Sequence, residues 1–229
     1  MLVKESILFN MGLICLPDVI IDSINQYVTD NDKIKIFLIL QEANLNLKLL
    51  NNIEISVNGI EFMDNDLKLA SKLNNLEILK MSSTNNISSY GISWLRYMNQ
   101  LKELSINISP NITDINLLSI PVTNIQILIL NGSCHHLTNR SIEHISKMTN
   151  LKTLYLSESM ITDFKPLSIL SNLEKLYLKG KNINDDNLKL DFFSKMIKLC
   201  LYDTNITDYT GSKIGFFNVF GRALFKRKY

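Results

Sequence analysis

A recurring phrase restricts the fold of this chain more than any other feature. The pattern L-x-x-L-x-L appears as LKTLYL at residues 151–156 and as LEKLYL at residues 173–178. Its first apolar position returns every 22 to 26 residues over seven units, as subtraction of the position numbers shows. A fixed period of this length predicts a solenoid, in which each unit buries its apolar row against its neighbours. Solenoids present extended surfaces, so the repeat favours recognition over catalysis.

Three apolar columns define the repeat. The first is Leu50, Leu76, Leu101, Ile125, Leu151, Leu173 and Met196; the fourth is Ile53, Leu79, Leu104, Leu128, Leu154, Leu176 and Leu199; the sixth is Ile55, Met81, Ile106, Leu130, Leu156, Leu178 and Leu201. Positions four and six have the period of a β-strand with one buried face. We therefore predict one short parallel strand per unit, with positions three, five and seven facing solvent. The chain then returns to the core at Ile60, Ile87, Ile112, Ile161, Ile183 and Ile206.

A capping signal follows several of these isoleucines. It reads Thr113-Asp114, Thr162-Asp163, Asn184-Asp185 and Thr207-Asp208. These residue types are preferred N-caps, so we expect short helices behind them, for example over residues 166–170. The sequence His135-His136-Leu137 departs from the pattern, which predicts an irregular or enlarged fourth turn.

The Leu-rich strand, the Ile-Thr-Asp turn and the Pro-Leu segment together resemble the internalin-like subfamily of leucine-rich repeat proteins. The resemblance is best between Leu151 and Asp208. It implies an α/β leucine-rich repeat solenoid, with a curved parallel sheet, short convex helices and a helical module before the repeats.

Composition and cysteine content indicate the cellular location of the protein. The 229 residues are 46% hydrophobic and 20% charged, as in an ordinary globular chain. Cys15, Cys134 and Cys200 are odd in number and far apart, so we predict no disulfide framework and an intracellular, cytoplasmic location. The apolar runs near the start lack a small-residue cleavage site and are too short to span a bilayer. Frequent Asn and Ile suit an AT-rich genome, and a viral or microbial effector in a host cytoplasm is one interpretation.

We divide the chain into three parts: a helical module at residues 1–48, about seven repeats at 49–210, and a basic, aromatic cap or tail at 211–229. The last part holds five basic residues and no acid, and Ile214, Phe217, Phe220 and Leu224 share a helical face. We expect it to close the last repeat, since an uncapped solenoid end exposes core. Neither nucleic acid nor a membrane is expected as a partner.

The N-terminal module permits two interpretations. Pro17 suits the first turn of a helix, and a second helix would carry Ile34, Phe37 and Leu38. The segment resembles a degenerate F-box on the residues Leu16, Pro17, Val19, Ile20, Ile24 and Tyr27. That resemblance implies binding to the small adaptor of cullin-type (SCF) ubiquitin ligases. Alternatively, residues 1–48 form only the N-terminal cap that a solenoid needs.

The solvent-facing strand positions predict where a partner binds. The later repeats place apolar and aromatic side chains there, flanked by lysines; the predicted binding residues are Ile127, Ile129, Tyr155, Tyr177, Tyr202, Lys175 and Lys179. Exposed aromatics ringed by charge are typical of an interface core, and the lysines favour an acidic segment. Alternatively, tyrosine is there for its strand propensity alone.

Catalytic chemistry has little support in the sequence. Cys134, His135, His136 and His144 lack zinc-ligand spacing, so we predict no metal site. P-loop, G-x-S-x-G and H-E-x-x-H motifs are missing, and we predict no cofactor and no enzyme activity. The first hypothesis is a substrate-recognition subunit of an SCF ligase, which holds its target on the concave sheet. The alternative is a leucine-rich repeat scaffold or effector without a ligase role.

Overall fold

The computed structural model describes residues 32, 34, 35, 38, 53–58, 62–82, 86–107, 112–132, 134–189, 196–207 and 216–220. Within these residues, eight strands form one parallel sheet whose spatial order follows the sequence order. The strands are β1 (Ile53–Asn58), β2 (Leu76–Ser82), β3 (Glu103–Asn107), β4 (Ile127–Asn131), β5 (Thr153–Ser157), β6 (Lys175–Lys179), β7 (Lys198–Tyr202) and β8 (Phe216–Phe220). Every strand therefore pairs only with the strands of adjacent units, and the predicted leucine-rich repeat solenoid is confirmed.

Short helices form the second layer, between successive strands. They are α1 (Asp64–Ala70), α2 (Ser89–Ile92), α3 (Asp114–Leu117) and α4 (Asn139–Ile145), together with the 3-10 helices Ser93–Tyr97 and Lys165–Ile169. Pro166 lies in the first turn of the last of these, where its fixed φ and missing N–H cause no loss. The predicted convex helix at residues 166–170 is thus present as a 3-10 helix. Among the described residues, no helix is long and apolar enough to cross a bilayer.

The predicted apolar columns make up the core. From the second unit to the seventh, every side chain of the three columns is at most 6% exposed. The turn residues Ile87, Ile112, Ile161, Ile183 and Ile206 are buried with them, whereas Ile60 lies outside the described residues. Full burial of one such side chain stabilises the fold by roughly 1.5–3 kcal/mol, so the stacked columns dominate the packing energy.

The first unit differs from the prediction by two residues. Ile55 pairs with Leu79 and Val57 with Met81, so Ile55 and Val57 fill the fourth and sixth columns that we assigned to Ile53 and Ile55. A shift of two residues keeps each side chain on the same face, so alternation alone could not choose between the registers. An irregularity between Ile53 and Glu54 leaves Ile53 opposite Leu76.

The enlarged fourth turn is confirmed. Leu137 is fully buried and takes the place of the turn isoleucine, seven residues after Leu130 by subtraction. The corresponding distance in the fifth unit, from Leu156 to Ile161, is five residues. The added residues form an exposed turn, and the side chain of Thr138 then caps α4.

The two ends of the chain are described in part. Residues 32, 34, 35 and 38 are helical, Ile34 is fully buried and Leu38 packs against the core, as expected for the second N-terminal helix. Leu16, Pro17, Val19, Ile20, Ile24 and Tyr27 lie outside the described residues.

The helical face expected near the C-terminus was wrong for residues 216–220, which form β8. In that strand, Phe217 pairs with Leu199 and Val219 with Leu201. The open edge of β7 supplies backbone partners to a segment that also has strand periodicity. A capping or tail role for residues 211–229 stays a prediction.

Candidate protein-binding face

Aspartate side chains accept hydrogen bonds from the turn of the following unit, and we call this series of hydrogen bonds the turn ladder. The carboxylate of Asp114 accepts the backbone N–H of Thr138 at 2.8 Å and its Oγ1–H at 2.6 Å, and also accepts from Ser141 Oγ. Asp64 accepts in the same way from Ser88, and Asp185 from Thr207, in the following unit.

Asp114 and Asp185 belong to the turn sequences that we predicted to cap the helices behind them, whereas Asp64 was not predicted. Thr113, not Asp114, is the cap of α3, and Asp114 bonds instead to the next turn. Burial alone would raise the pKa of Asp114, but the hydrogen bonds from Ser141 and Thr138 outweigh it and lower the pKa below its ordinary value.

A second series of hydrogen bonds between units, formed by asparagine side chains just before the strands, was not predicted from the sequence. An asparagine amide directly before the first column donates to a carbonyl of the preceding unit: Asn124 to Asn99 O at 2.7 Å, Asn150 to Thr123 O at 2.6 Å and Asn172 to Thr149 O at 2.8 Å. The recurrence of asparagine at this position is the sequence signal that could have identified it. The two ladders hold the strands in a fixed register, on which the outer face of the sheet depends.

The register arranges the solvent-facing side chains of β2–β7 in three rows. The middle row is Lys80, Ser105, Ile129, Tyr155, Tyr177 and Cys200; the flanking rows are Ile78, Glu103, Ile127, Thr153, Lys175 and Lys198, and Ser82, Asn107, Asn131, Ser157, Lys179 and Tyr202. All seven residues predicted to bind a partner thus lie on β4–β7 of one face. In a solenoid this is the concave face.

Ile129, Tyr155 and Tyr177 are direct neighbours on three strands, and we call them the tyrosine row. All three side chains are half-buried. The two tyrosine rings stack with centroids 5.8 Å apart and planes 22° apart. Burial raises the pKa of Tyr155 above its ordinary value, so its hydroxyl stays protonated and can donate a hydrogen bond at neutral pH.

Three lysines surround the tyrosine row. Lys198 Nζ lies 5.2 Å from the centroid of the Tyr177 ring, and a hydrogen bond to Tyr177 raises the pKa of Lys198. Lys179 forms a salt bridge with Glu158 at 3.0 Å, which raises the lysine pKa. Lys175 is exposed, and no described carboxylate lies within salt-bridge distance of it. The raised pKa values keep Lys179 and Lys198 charged at neutral pH. The three lysines outnumber Glu158 and Asp203, the carboxylates that interact with Lys179, so this half of the face is positive.

The N-terminal half of the same face carries more carboxylates than lysines around Lys80. Lys80 Nζ lies 3.1 Å from Glu54 Oε1 and 3.3 Å from Glu103 Oε1. The hydrogen bond to Glu54 is the main cause that raises the lysine pKa. Two carboxylates around one ammonium leave a net negative charge there, in contrast to the half with the tyrosine row.

Some positions expected to face solvent are covered. Ser105 is 5% exposed, and Ser157 and Cys200 are each 1% exposed. These side chains are small, and exposure depends on the side chains around a position as well as on its direction; Cys200, for example, interacts with Tyr202 on the same strand. Tyr202 itself is half-buried, and burial raises its pKa.

The cysteine and histidines around the fourth turn do not converge. Cys134 is buried, which raises the pKa of its thiol to about 11, while His135 and His136 are exposed. His144 lies in α4, where burial lowers its pKa and Nε2 lies 3.1 Å from Ile120 O. Over the described ranges, no three side chains of His, Cys, Asp or Glu are grouped closely enough to hold a metal ion.

A surface cluster on the convex side escaped the sequence interpretation. Tyr90, Trp94 and Tyr97 contact one another through their rings on α2 and the 3-10 helix that follows it. Their spacing of four and three residues is a helical signal that was available in the sequence.

No protein-family model and no curated protein matches the chain. Among solved structures, internalin C2 from Listeria monocytogenes is similar at 20% identity with a TM-score of 0.47; the match covers 76% of this chain and 70% of that one. An internalin (inlF) from the same species is similar at 23% identity with a TM-score of 0.44, over 74% of this chain and 54% of that one, so the chain spans about half of its length.

Proposed function

We propose that this chain is a protein-binding module whose partner lies on the C-terminal half of the concave face. The observation that carries the proposal is the tyrosine row. Its three side chains form a continuous, partly exposed apolar strip on rigid strands, and stacking already fixes the two rings. Tyrosine buries a large area on binding at low entropy cost and still offers a hydroxyl group.

Charge supports an acidic partner. Lys175, Lys179 and Lys198 lie around the tyrosine row and outnumber the nearby carboxylates Glu158 and Asp203, whereas two carboxylates surround Lys80 in the other half. Opposite potentials accelerate association and set orientation more than they set affinity. Binding should therefore weaken with salt, chiefly through the association rate.

A pull-down with the purified full chain tests the proposal. The double variant Tyr155→Ala/Tyr177→Ala should lose specific partners that the wild type retains, since truncation of aromatic anchors commonly costs about 2 kcal/mol or more. Met160→Ala/Ile169→Ala is the control, because it removes two exposed apolar side chains that lie outside the tyrosine row. Equal partner sets for wild type and the Tyr155/Tyr177 variant would contradict the proposal, provided that circular dichroism shows both folded.

The finer hypothesis assigns a ligase role to the N-terminal module. Residues 16–27, which carry the F-box resemblance, lie outside the described residues, so adaptor binding stays a prediction, as does the host-cell cytoplasm as location. In that case the chain would contribute proximity between a ligase and its target and would perform no bond chemistry. Leu16→Ala/Pro17→Ala should abolish recovery of the SCF adaptor from eukaryotic cells and leave the concave partners bound. If wild-type protein recovers no adaptor, the scaffold or effector alternative is favoured.

A further inference from the structure

One row of the concave face changes the sign of its charge from one end to the other. Its side chains are direct neighbours on successive strands from β1 to β7, beside the tyrosine row. We call it the charged row, and it consists of Glu54, Ile78, Glu103, Ile127, Thr153, Lys175 and Lys198. A ligand that lies along this row therefore meets opposite charges at its two ends.

The end of the charged row at β1–β3 is acidic. Glu54 and Glu103 share Lys80, so two carboxylates oppose one ammonium group. The side chain of Glu54 is 49% exposed and that of Glu103 is 19% exposed, so a partner can reach both. Glu77 forms its own salt bridge with Lys102 at 2.7 Å, and that pair is neutral. The described residues of these three strands thus leave one negative charge in excess.

The end of the charged row at β6 and β7 is basic. Lys175 and Lys198 are neighbours there, and Lys175 is exposed. The nearby acids lie at the other edge of the strands, where Glu158 forms a salt bridge with Lys179 at 3.0 Å and Asp203 interacts with the same lysine. Three lysines against two carboxylates leave one positive charge in excess.

Between the two ends the face is uncharged. Neither β4 nor β5 contains an acidic or a basic residue. Lys152, directly before β5, lies beside Glu174, whose backbone N–H donates to Lys152 O at 2.9 Å, so these opposite charges leave no excess. The middle of the face consists of Ile127 and the tyrosine row, with one charged end on each side of it.

The strand spacing sets the length of a matching segment. Neighbouring strands lie about 4.8 Å apart, so about 14 Å separates Glu103 from Lys175 along the sheet and about 29 Å separates Glu54 from Lys198. An extended chain advances about 3.3 Å per residue. A basic group and an acidic group about six residues apart in an extended segment therefore reach both ends of the charged row.

The width of the apolar strip favours an extended chain over a helix. Ile127 and Ile129 are two residues apart on β4, so their rows lie about 7 Å from each other. The third row is polar on these strands, where it holds Asn131 and Ser157. An α-helix with its side chains is about 10–12 Å across, which is wider than this strip.

We propose that the partner is an extended, dipolar protein segment that crosses the strands of the concave face. Its basic end lies over β1–β3, its apolar side chains contact Ile127 and the tyrosine row, and its acidic end lies over β6 and β7. The inference rests on the binding function proposed above and adds a charge pattern and an orientation to it. Like charges repel a uniformly acidic segment at β1–β3 and a uniformly basic one at β6 and β7.

Three synthetic peptides test this charge pattern. The dipolar peptide has lysines at one end, glutamates at the other and a spacer of about six leucine, isoleucine and serine residues, which an extended chain needs to span the distance. Its controls have glutamates at both ends or lysines at both ends. Isothermal titration calorimetry at low ionic strength measures their binding to the full chain. The dipolar peptide should bind about threefold more tightly than either control, or better, and salt should remove the difference.

Charge reversal at either end tests the orientation. Glu54→Lys/Lys80→Glu/Glu103→Lys inverts the excess charge at β1–β3 and conserves a pattern of two salt bridges, so this variant should prefer the glutamate peptide. Lys175→Glu/Lys198→Glu makes both ends acidic and should prefer the lysine peptide. Each variant alone should bind the dipolar peptide about threefold more weakly or worse, whereas all five substitutions together should restore binding, because the peptide can then lie in the opposite direction.

Two further variants separate this inference from the proposed function. Lys147→Glu/Lys165→Glu makes the same charge change at exposed positions of the helix layer and should leave the peptide preference unchanged. Tyr155→Ala/Tyr177→Ala should weaken all three peptides alike. If it does so while the wild type binds the three peptides equally, the dipolar pattern is refuted and the proposed function stands. If it weakens none of them, both are contradicted.

Two other results would also overturn the dipolar pattern. One is the lack of any binding of the dipolar peptide to the wild type, for which the pull-down decides separately about the proposed function. The other is failure of the five combined substitutions to restore binding in a chain that circular dichroism shows to be folded. If that variant does not fold, the peptide preference of the wild type decides.

Discussion

Gly91 offers a sharp test of how the turn ladder stabilises this solenoid. It lies in α2, where replacement of glycine by alanine ordinarily gains about 1 kcal/mol of helix propensity. A Cβ atom at this position, however, would lie 2.1 Å from Asp64 Oδ1, 2.8 Å from Asp64 Cγ and 3.1 Å from Asp64 Cα. The carboxylate would have to leave its place.

The size of the effect follows from what that carboxylate accepts. Asp64 receives the N–H of Ser88 at 2.8 Å and the Oγ–H of Ser88 at 2.5 Å. Hydrogen bonds to a charged acceptor contribute roughly 1.5–3 kcal/mol each, and partial exposure reduces this to about 1 kcal/mol each. Displacement of the carboxylate and adjustment of the α1 backbone together outweigh the propensity gain. Gly91→Ala should therefore destabilise the protein by about 1–2 kcal/mol.

Urea unfolding followed by circular dichroism measures this change, and a double-mutant cycle identifies its cause. In the Asp64→Ala background the carboxylate is gone and only the close approach to the α1 backbone at 3.1 Å is left, so Gly91→Ala should be less destabilising there by about 1 kcal/mol or more. A stabilising Gly91→Ala in the wild-type background, or equal effects in both backgrounds, would refute the argument that Asp64 excludes a side chain at Gly91.

Other parts of the molecule give further predictions. The pKa of Asp114 is lowered in the folded state, so its contribution to stability is complete above the unfolded pKa of about 3.9. That contribution is lost as the pH falls through the folded pKa. The difference in free energy of unfolding between wild type and Asp114→Asn should therefore shrink when unfolding is measured at decreasing pH. Leu154→Ala, at a fully buried position, should cost roughly 2–5 kcal/mol in urea unfolding, whereas Thr153→Ala on the adjacent outer position should stay within about 0.5 kcal/mol. Asp203 has a φ of 50°, so Asp203→Gly should raise the free energy of unfolding by about 0.5–1 kcal/mol, and a loss would show that its side chain matters more than its backbone. Cys134, buried and with a pKa of about 11, should resist iodoacetamide at pH 8 until urea unfolds the chain, as peptide mapping by mass spectrometry would show.

The sequence was sufficient for the repeat and for most of its register. Period and alternation identify the buried columns because a core position in a stacked unit tolerates only apolar side chains, and every unit needs them at the same positions. The same logic placed Tyr155 and Tyr177 side by side, as the pairing of β5 with β6 confirms. The predicted register was wrong by two residues at β1, because apolar and polar residues alternate on both sides of the predicted positions and only pairing with β2 selects the register.

The sequence by itself determined which apolar columns form the core from the second unit to the seventh, because that burial follows from a pattern that neighbouring residues share. Tertiary structure alone decided which units contact each other through Asp64 and Asp114, since a hydrogen bond between units depends on how a turn is placed over the next one. It also decided that Cys200 is covered. The hydrogen bonds between units join residues more than twenty positions apart, which no local pattern encodes.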